Sequence, residues 1–398
     1  MAGALLFDLG DVPDCHCNSG FEVMAKAMAE DPEGDPRSIW TPHDNPYVTA
    51  HVEDVTRRLQ LVLERIQDAL ARILLGEPIG HLSKAAVPWM RWDPARFESA
   101  RVELEMKPPE LFSLDDWMLL ADYLIQRYLP DGVINDEAEY LTVRASILGK
   151  IQAAQRGAAP PPDTMAAWST LTPTHFAHVP ERVLSPVELQ VMQYAKQAAA
   201  VHIGSVTEAA RAGMKSIILE HVQAQVLGQR EGTAAHLKTR LFDHFGQLNR
   251  DMRRIAVTEA GECVCQGFIA AQPPGARVKR IEAYRGACKF CKSINGKVFT
   301  VCAPDDPNRS GTENIWLGKT NAGRSAAARR KVGGIMIERA EGERWWVAAG
   351  VQHPHCRGAW VLAPEEMKAP PGVTPEFQAF MAALLAKHRA AIAIPADA

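Results

Sequence analysis

The chain has 398 residues, of which 47% are hydrophobic and 23% are charged, with a formal net charge of −3 at pH 7. This composition is ordinary for a soluble globular protein and leaves room for two or three domains with a sizeable core. No apolar run reaches the ~18 residues of a membrane span, and the N-terminus lacks a leader pattern, so we expect neither a membrane partner nor a signal peptide.

The first 45 residues are predicted to be an irregular arm, because Asp-Pro, Gly-Asp-Pro and Thr-Pro breakers interrupt them. This arm contains Cys15-His16-Cys17, a weak candidate for a metal site. No second pair of ligands lies nearby in the sequence, so free thiols are the favoured interpretation.

Residues 46–156 are predicted to form a helical domain. Asn45 and Pro46 are a typical N-cap and first helical residue, and Gly76 is a typical helix end. Between them, apolar residues three and four positions apart form a continuous stripe: Val48, Val52, Val55, Leu59, Val62, Ile66, Ala69 and Ile73. Such a stripe is usually core or a packing seam, and the alternative is a partner-binding helix.

Two more helices complete this domain, and a linker follows it. Ser113 and Asp116 resemble a capping box before the first, while Asn135 is expected to cap the second, which ends near Gln155. Three consecutive prolines cannot continue a helix and favour an extended spacer. We therefore predict a proline-rich linker at residues 157–184.

Residues 185–271 are predicted to be a second helical segment. Ser185 and Glu188 form another capping box, with Pro186 at the first helical position. We expect Gly246 to end one helix of this segment. The expected helices run from the capping box towards His202 and over residues 207–227, 233–245 and 251–271.

Four metal-ligand side chains occur as two short pairs near the C-terminus. Cys288 and Cys291 have the spacing at which a tight turn aims both sulfurs at one point, and His353 and Cys356 repeat it. Together they form a Cys₃His set, which suits tetrahedral zinc. Unpaired buried cysteines are the alternative, and His355 could replace His353 or Cys356 as a ligand.

The ligand pairs lie in a region with short β-like segments at residues 278–284, 297–301, 344–347 and 359–362. Few strands bury little apolar area, so we expect a metal to hold this region together. The predicted fold class is α+β, with a mostly helical N-terminal two-thirds, a small zinc-stapled β-rich domain and a terminal helix. The predicted divisions are 1–45, 46–156, 157–184, 185–271, 272–364 and 365–398.

Three stretches carry a family resemblance: Arg254-Ile-Ala-Val-Thr-Glu259 with Gly267 downstream, Cys288-x-x-Cys291 with Gly296-Lys-Val-Phe299, and His353-Pro-His-Cys-Arg357. In this order they resemble the phage head morphogenesis family, the Mu F-like minor head proteins of tailed bacteriophages, over about residues 232–363. Two positions depart from the family pattern. The usual Asp-x-x-Thr is replaced by Arg285-Gly-Ala287, and the last cysteine is replaced by Gly358.

The resemblance implies a minor capsid protein that acts near the portal in procapsid assembly, DNA packaging or ejection. Its implied partners are the portal protein and other capsid components, and its implied location is the phage head interior after assembly in the host cytoplasm. Four protein ligands leave zinc no open position, so we expect no enzyme. The alternatives are a zinc-dependent nuclease or injected effector, and a DNA-binding module outside any virion.

One carboxylate and one basic stretch complete the candidates. Glu259 is interpreted as a helix-surface or helix-capping residue, or as a hydrogen-bond partner of a ligand or strand amide. The stretch 277–331 has 13 Lys and Arg against 4 acids, an excess of nine positive charges. This excess fits sequence-independent contact with packaged double-stranded DNA, and a solvated loop is the alternative. The candidate DNA-binding residues are Lys279, Arg280, Arg285, Lys289, Lys297, Arg324, Arg329, Arg330 and Lys331.

Overall fold

The computed structural model of the protein describes residues 45–74, 77, 92–129, 131–155, 160–172, 184–284, 287–363 and 374–392. It confirms the α+β class, because helices precede a small sheet and a terminal helix follows it. The helices are α1 (Pro46–Leu74), α2 (Pro94–Glu105), α3 (Leu114–Tyr128), α4 (Asp131–Gln155), α5 (Pro162–Ser169), α6 (Pro186–Val226), α7 (Ala234–Ala270), α8 (Lys289–Ile294) and α9 (Pro375–Ile392). The strands are β1 (Arg277–Ile281), β2 (Val298–Val301), β3 (Asn314–Ile315), β4 (Arg329–Val332), β5 (Ile335–Glu338) and β6 (Ala359–Leu362).

Three predicted helix starts are confirmed by their caps. The side chain of Asn45 accepts from the first amides of α1. Ser113 and Asp116 form a reciprocal capping box before α3. The same exchange occurs before α6, where Ser185 N–H donates to the Glu188 carboxylate at 2.7 Å and Glu188 N–H donates to the Ser185 hydroxyl. These caps satisfy amides that a helix start leaves unpaired.

Several predicted helix boundaries are wrong, because the packing of a long helix outweighs the local preference of a single cap or glycine residue. α4 begins at Asp131, so Asn135 lies inside it, and α6 continues beyond His202 to Val226. α7 passes through Gly246, where an added side chain would meet open space. One exposed glycine costs a helix only about 1 kcal/mol relative to alanine, which does not end a 37-residue helix.

The stripe of α1 is not an open partner surface. Seven of its eight predicted members are buried within this chain, and Val62 is partly buried. This burial corrects the interpretation of α1 as a partner-binding helix. The predicted end at Gly76 and the Cys15–Cys17 motif lie outside the described residues. Within the described ranges, no helix has an apolar stretch that could cross a bilayer.

The described residues divide into two compact units. Unit A takes those within Met1–Glu53, Glu139–Ala199 and Arg254–Ala398, and unit B those within Asp54–Ala138 and Ala200–Arg253. The predicted linker at 157–184 falls within the sequence range of unit A. Part of it forms α5, because a proline at the first helical position has no intrahelical bond to lose. The side chains of Met165 and Trp168 in α5 are buried.

A four-stranded sheet in the order β3-β2-β1-β6 forms the centre of the β-rich part of unit A. β1 pairs antiparallel with β2 and β6, and β2 pairs parallel with β3. Its buried face shares a hydrophobic cluster with the end of α7, including Phe268, Val278, Phe299 and Trp360. β4 and β5 form a separate hairpin.

The predicted strand at 344–347 is wrong. Only Arg344 makes an isolated bridge, to Ser325. The indole N–H groups of Trp345 and Trp346 donate to backbone carbonyls, and the Trp346 amide donates to the Asn321 side chain. These bonds hold the segment as a loop, so it needs no partner strand.

Helices α4 and α7 approach each other closely through two glycines in unit A. A Cβ atom on Gly149 would lie 2.0 Å from the Val264 carbonyl oxygen, and one on Gly267 would lie 2.2 Å from the Ser146 carbonyl oxygen. Real side chains do not tolerate such distances. The backbones of these two helices therefore touch, and α7 is held in place for the sheet it supports.

We expect Gly267→Ala to lower the free energy of unfolding by about 1–3 kcal/mol, because the added methyl group overpacks a helix contact. Urea denaturation of the full chain measures this loss. The matched control is Gly204→Ala in α6, where no atom lies within 4 Å of the added Cβ. That control should raise stability slightly. Equal effects of the two substitutions would contradict the close approach of the helices.

Candidate metal centre

The first ligand pair lies on the short helix α8. Cys288 is its N-cap, and the Cys288 sulfur accepts a hydrogen bond from the Cys291 amide at 3.5 Å. This bond orients the Cys288 sulfur against the first turn of α8. Gly296 follows with a φ of 80°, a left-handed backbone conformation that favours glycine.

The second pair lies on a turn in which the Cys356 amide donates to the His353 carbonyl oxygen at 3.0 Å. His353 Nδ1 lies 2.7 Å from the Pro354 carbonyl oxygen, which can only accept, so Nδ1 carries the proton. In the neutral ring, Nε2 then carries the lone pair that a metal ligand requires. The Trp345 ring stacks on this imidazole, with centroids 5.7 Å apart and planes 12° apart.

Three of the four predicted ligands converge. His353 Nε2 lies 3.3 Å from the Cys288 sulfur and 3.2 Å from the Cys291 sulfur. Ligand atoms of a tetrahedral zinc site with ordinary bond lengths lie about 3.6 Å apart for a sulfur–nitrogen pair. All three ligand atoms lie within 4.8 Å of one another, so these residues could hold a metal ion.

Cys356, the fourth predicted ligand, belongs to a second group. Three atoms of this group lie within 4.8 Å of one another: the Cys356 sulfur, the Cys291 sulfur and a carboxylate oxygen of Glu282. Cys291 therefore belongs to both groups. Burial favours the neutral thiol of Cys356, but a hydrogen bond with Cys291 and the charges of Arg280 and His353 hold its pKa well below its usual value. The thiolate is the form that binds metals.

Arg280 is wrongly predicted as a DNA-binding residue, because its side chain is completely buried. Its Nε donates to Glu282 at 2.7 Å, and its terminal nitrogens lie 3.6 Å from the sulfurs of Cys265 and Cys356. Burial and the neighbouring Cys356 raise the pKa of Glu282 to about 7, although Arg280 opposes this shift. Arg280 thus neutralises negative charge beside the ligands.

The backbone at Gly358 has no room for a side chain. A Cβ atom there would lie 2.2 Å from the Glu282 carboxylate. The Cys265 thiol also donates to the Gly358 carbonyl oxygen at 3.3 Å. Glu282 therefore fills the space that a side chain at residue 358 would need.

Helix α7 fixes the loop that carries His353, and sequence reasoning missed the main residue. Glu262 accepts from the Val351 amide at 2.7 Å, and Thr258 accepts from the His355 amide at 3.1 Å. Glu259, the sequence candidate one turn earlier, is buried and lines a cavity of about 340 Å³. The helical spacing from Glu259 was a usable signal, but its partner loop lies about ninety residues further along the chain.

His355 is in neither ligand group found among the described residues. Its φ of 63° is left-handed, and burial and the nearby Arg254 and Arg357 lower the pKa of its ring to about 3. A side chain in this conformation is strained. The backbone bond from its amide to Thr258 is what ties this residue to α7.

The remaining candidate DNA-binding residues differ in exposure. Arg324 stacks on Trp346 at 3.5 Å and donates to the Arg344 carbonyl oxygen, whereas Arg329 pairs with Glu338 and Arg330 with Glu343. Lys279 is partly buried, and Arg285 lies outside the described residues. The exposed lysines of the set are Lys289, Lys297 and Lys331.

No protein-family model, curated protein or solved structure matches the chain. The sequence motifs and the geometry of this centre are therefore the features that bear on function.

Proposed function

We propose that the protein is a minor capsid protein of a tailed bacteriophage, in which zinc fixes a small basic module. The observation that carries the proposal is the contact of His353 Nε2 with the sulfurs of Cys288 and Cys291, at 3.3 and 3.2 Å. The two motifs that meet here are two of the three stretches that carry the family resemblance. Their meeting across about sixty residues is what a shared ion would require.

Zinc suits this donor set because thiolates and an imidazole are its preferred ligands in closed structural sites. One ion bound by Cys288, Cys291, His353 and Cys356 fits better than two. A second cation beside Cys356 would be repelled by the guanidinium of Arg280, which lies 3.6 Å from that sulfur. The Cys356 sulfur already lies within 4.8 Å of the Cys291 sulfur.

The resemblance supplies the setting of this proposal. The protein would join the procapsid near the portal, with the portal protein and other capsid components as partners and packaged double-stranded DNA as a contact. It would assemble in the host cytoplasm and remain inside the phage head.

Two measurements test the proposal. Metal analysis of the purified full chain should find one zinc per chain, and mass spectrometry of purified phage particles should find the chain in the head fraction. Metal-free protein that is fully folded would refute the zinc centre. Its absence from heads that contain the portal would refute the capsid assignment.

A zinc-dependent nuclease or injected effector is the second candidate, favoured by one observation. Cys356 lies outside the three-ligand group, which could leave an open position on the metal. The carboxylate nearest to Cys356, Glu282, is paired with Arg280, so it is poorly placed to act as a base. On this reading Cys356→Ala keeps its fold and zinc, whereas on the structural reading it loses both.

A further inference from the structure

The hairpin formed by β4 and β5 is a solvated ribbon. All eight of its strand residues are exposed, and among the described residues it pairs with no other strand. Its turn is Gly333-Gly334, with φ values of 57° and 89°. Two successive left-handed glycines are typical of the tight turn that matches the twist of a hairpin. The turn of the ribbon is therefore narrow, because its two residues carry no side chains.

The pairing register assigns the side chains of the ribbon to its two faces. Arg329 pairs with Glu338, Arg330 with Ile337, Lys331 with Met336 and Val332 with Ile335. Because successive side chains alternate, Arg330 lies on one face and Arg329 and Lys331 lie on the other. Apolar side chains near the turn are also exposed on both faces, at 69% for Ile335 and 54% for Met336. A flat partner would cover only one of these faces.

A groove of duplex DNA fits both properties of the ribbon. The two walls of a groove are lined by phosphates, and its floor presents base edges and apolar methyl groups. A two-stranded ribbon is narrow enough to enter the major groove, which is about 12 Å wide. Cations on both faces would meet the walls, and the apolar end would meet the floor.

The charges around the ribbon favour the same partner. No acid occurs from Asn314 to Ile337, a stretch that also includes Arg324. The pairs of Arg329 with Glu338 and Arg330 with Glu343 are at the surface, where they contribute little and can exchange for phosphate. A lipid surface would also attract this ribbon, but residues 329–338 contain no aromatic side chain of the kind that anchors proteins at membrane interfaces.

We propose that this hairpin, residues 329–338, is a DNA-binding β-ribbon that enters a groove with its apolar end first. The proposal deepens the DNA contact of the proposed function and rests on it. It assigns phosphate contact to Arg329, Arg330 and Lys331, and contact with the groove floor to Ile335 and Met336.

The test measures the affinity of the zinc-loaded full chain for a 30-base-pair duplex, by fluorescence anisotropy over a series of salt concentrations. The triple variant R329Q/R330Q/K331Q should bind more weakly and lower the slope of log Kd against log salt by about 2–3, because each lost phosphate contact removes about 0.9. The double variant I335S/M336S should weaken binding at least fivefold and leave the slope unchanged.

Matched controls lie in unit B. R230Q/K238Q/R250Q removes three exposed cations, and V226S/L227S removes two exposed apolar side chains. Both controls should bind like the wild type. All the replaced hairpin residues are exposed, so the variants should also keep the thermal unfolding curve of the wild type.

Three outcomes would refute the proposal that the hairpin binds DNA. The hairpin variants could bind DNA no more weakly than their controls, the wild type could fail to bind the duplex, or it could bind vesicles of anionic phosphatidylglycerol in preference to DNA. If the hairpin variants bind like their controls, DNA contacts another part of the protein. If the wild type prefers the vesicles, the partner of the hairpin is a membrane. Zinc content and presence in heads are measured separately, so failure of the ribbon is distinguishable from failure of the proposed function.

Discussion

On the proposed zinc centre, replacing Cys291 with serine should abolish metal binding and unfold the β-rich part of unit A. Cys291 is completely buried and is the one residue shared by both ligand groups. Structural zinc contributes an apparent free energy of about 10–16 kcal/mol at neutral pH, which is comparable with the whole stability of a domain. A hydroxyl group cannot replace the thiolate as a zinc ligand. Zinc analysis and thermal unfolding followed by near-ultraviolet circular dichroism measure both losses.

Cys302→Ser is the matched control for this substitution. Cys302 is only partly buried, just after β2, and belongs to neither ligand group. It should retain full zinc content and the unfolding curve of the wild type. A Cys291→Ser protein with unchanged zinc content and melting temperature would show that the centre does not hold the fold.

Replacing Arg280 with methionine should lower the free energy of unfolding by about 3–5 kcal/mol, because a buried ion pair that loses one partner leaves an uncompensated charge. Arg280 is the partner of Glu282 and lies against two sulfurs and the Trp360 ring, 5.1 Å from its centroid. Urea denaturation of the zinc-loaded full chain measures the loss.

The double variant R280M/E282L separates two roles of this arginine. If Arg280 mainly compensates Glu282, removing both charges should restore most of the lost stability, as apolar replacements of buried pairs often do. If it mainly offsets the thiolates, the double variant should remain as unstable as the single one and lose zinc. An Arg280→Met protein as stable as the wild type would exclude both roles.

Much of the fold was predictable because it is encoded locally. The caps at Asn45, Ser113 and Ser185 depend on neighbouring side chains, and the Cys288 turn depends on the four residues 288–291 and on Gly296. The breaks expected near His202 and Gly246 did not occur. There a weak local preference competes with the packing of a long helix, and packing decides.

The centre was only partly predictable, because its supporting contacts join distant parts of the chain. Strand alternation could have placed Arg280 on the buried face of β1 with Val278, since both are inward residues of one strand. Helical spacing could have proposed Glu262 beside Glu259. Neither pattern could reveal that the partners would be Cys356 and the amide of Val351, more than seventy residues away.

The stack of Trp345 on His353 gives the centre an optical signature. The indole lies almost parallel to the ring whose Nε2 faces the ligand sulfurs, so we expect a cation bound there to change the emission of Trp345. Metal binding could therefore be followed in real time by tryptophan fluorescence, with the Trp345→Phe variant as the control. Trp345 would therefore serve as an intrinsic fluorescent probe of metal binding at His353.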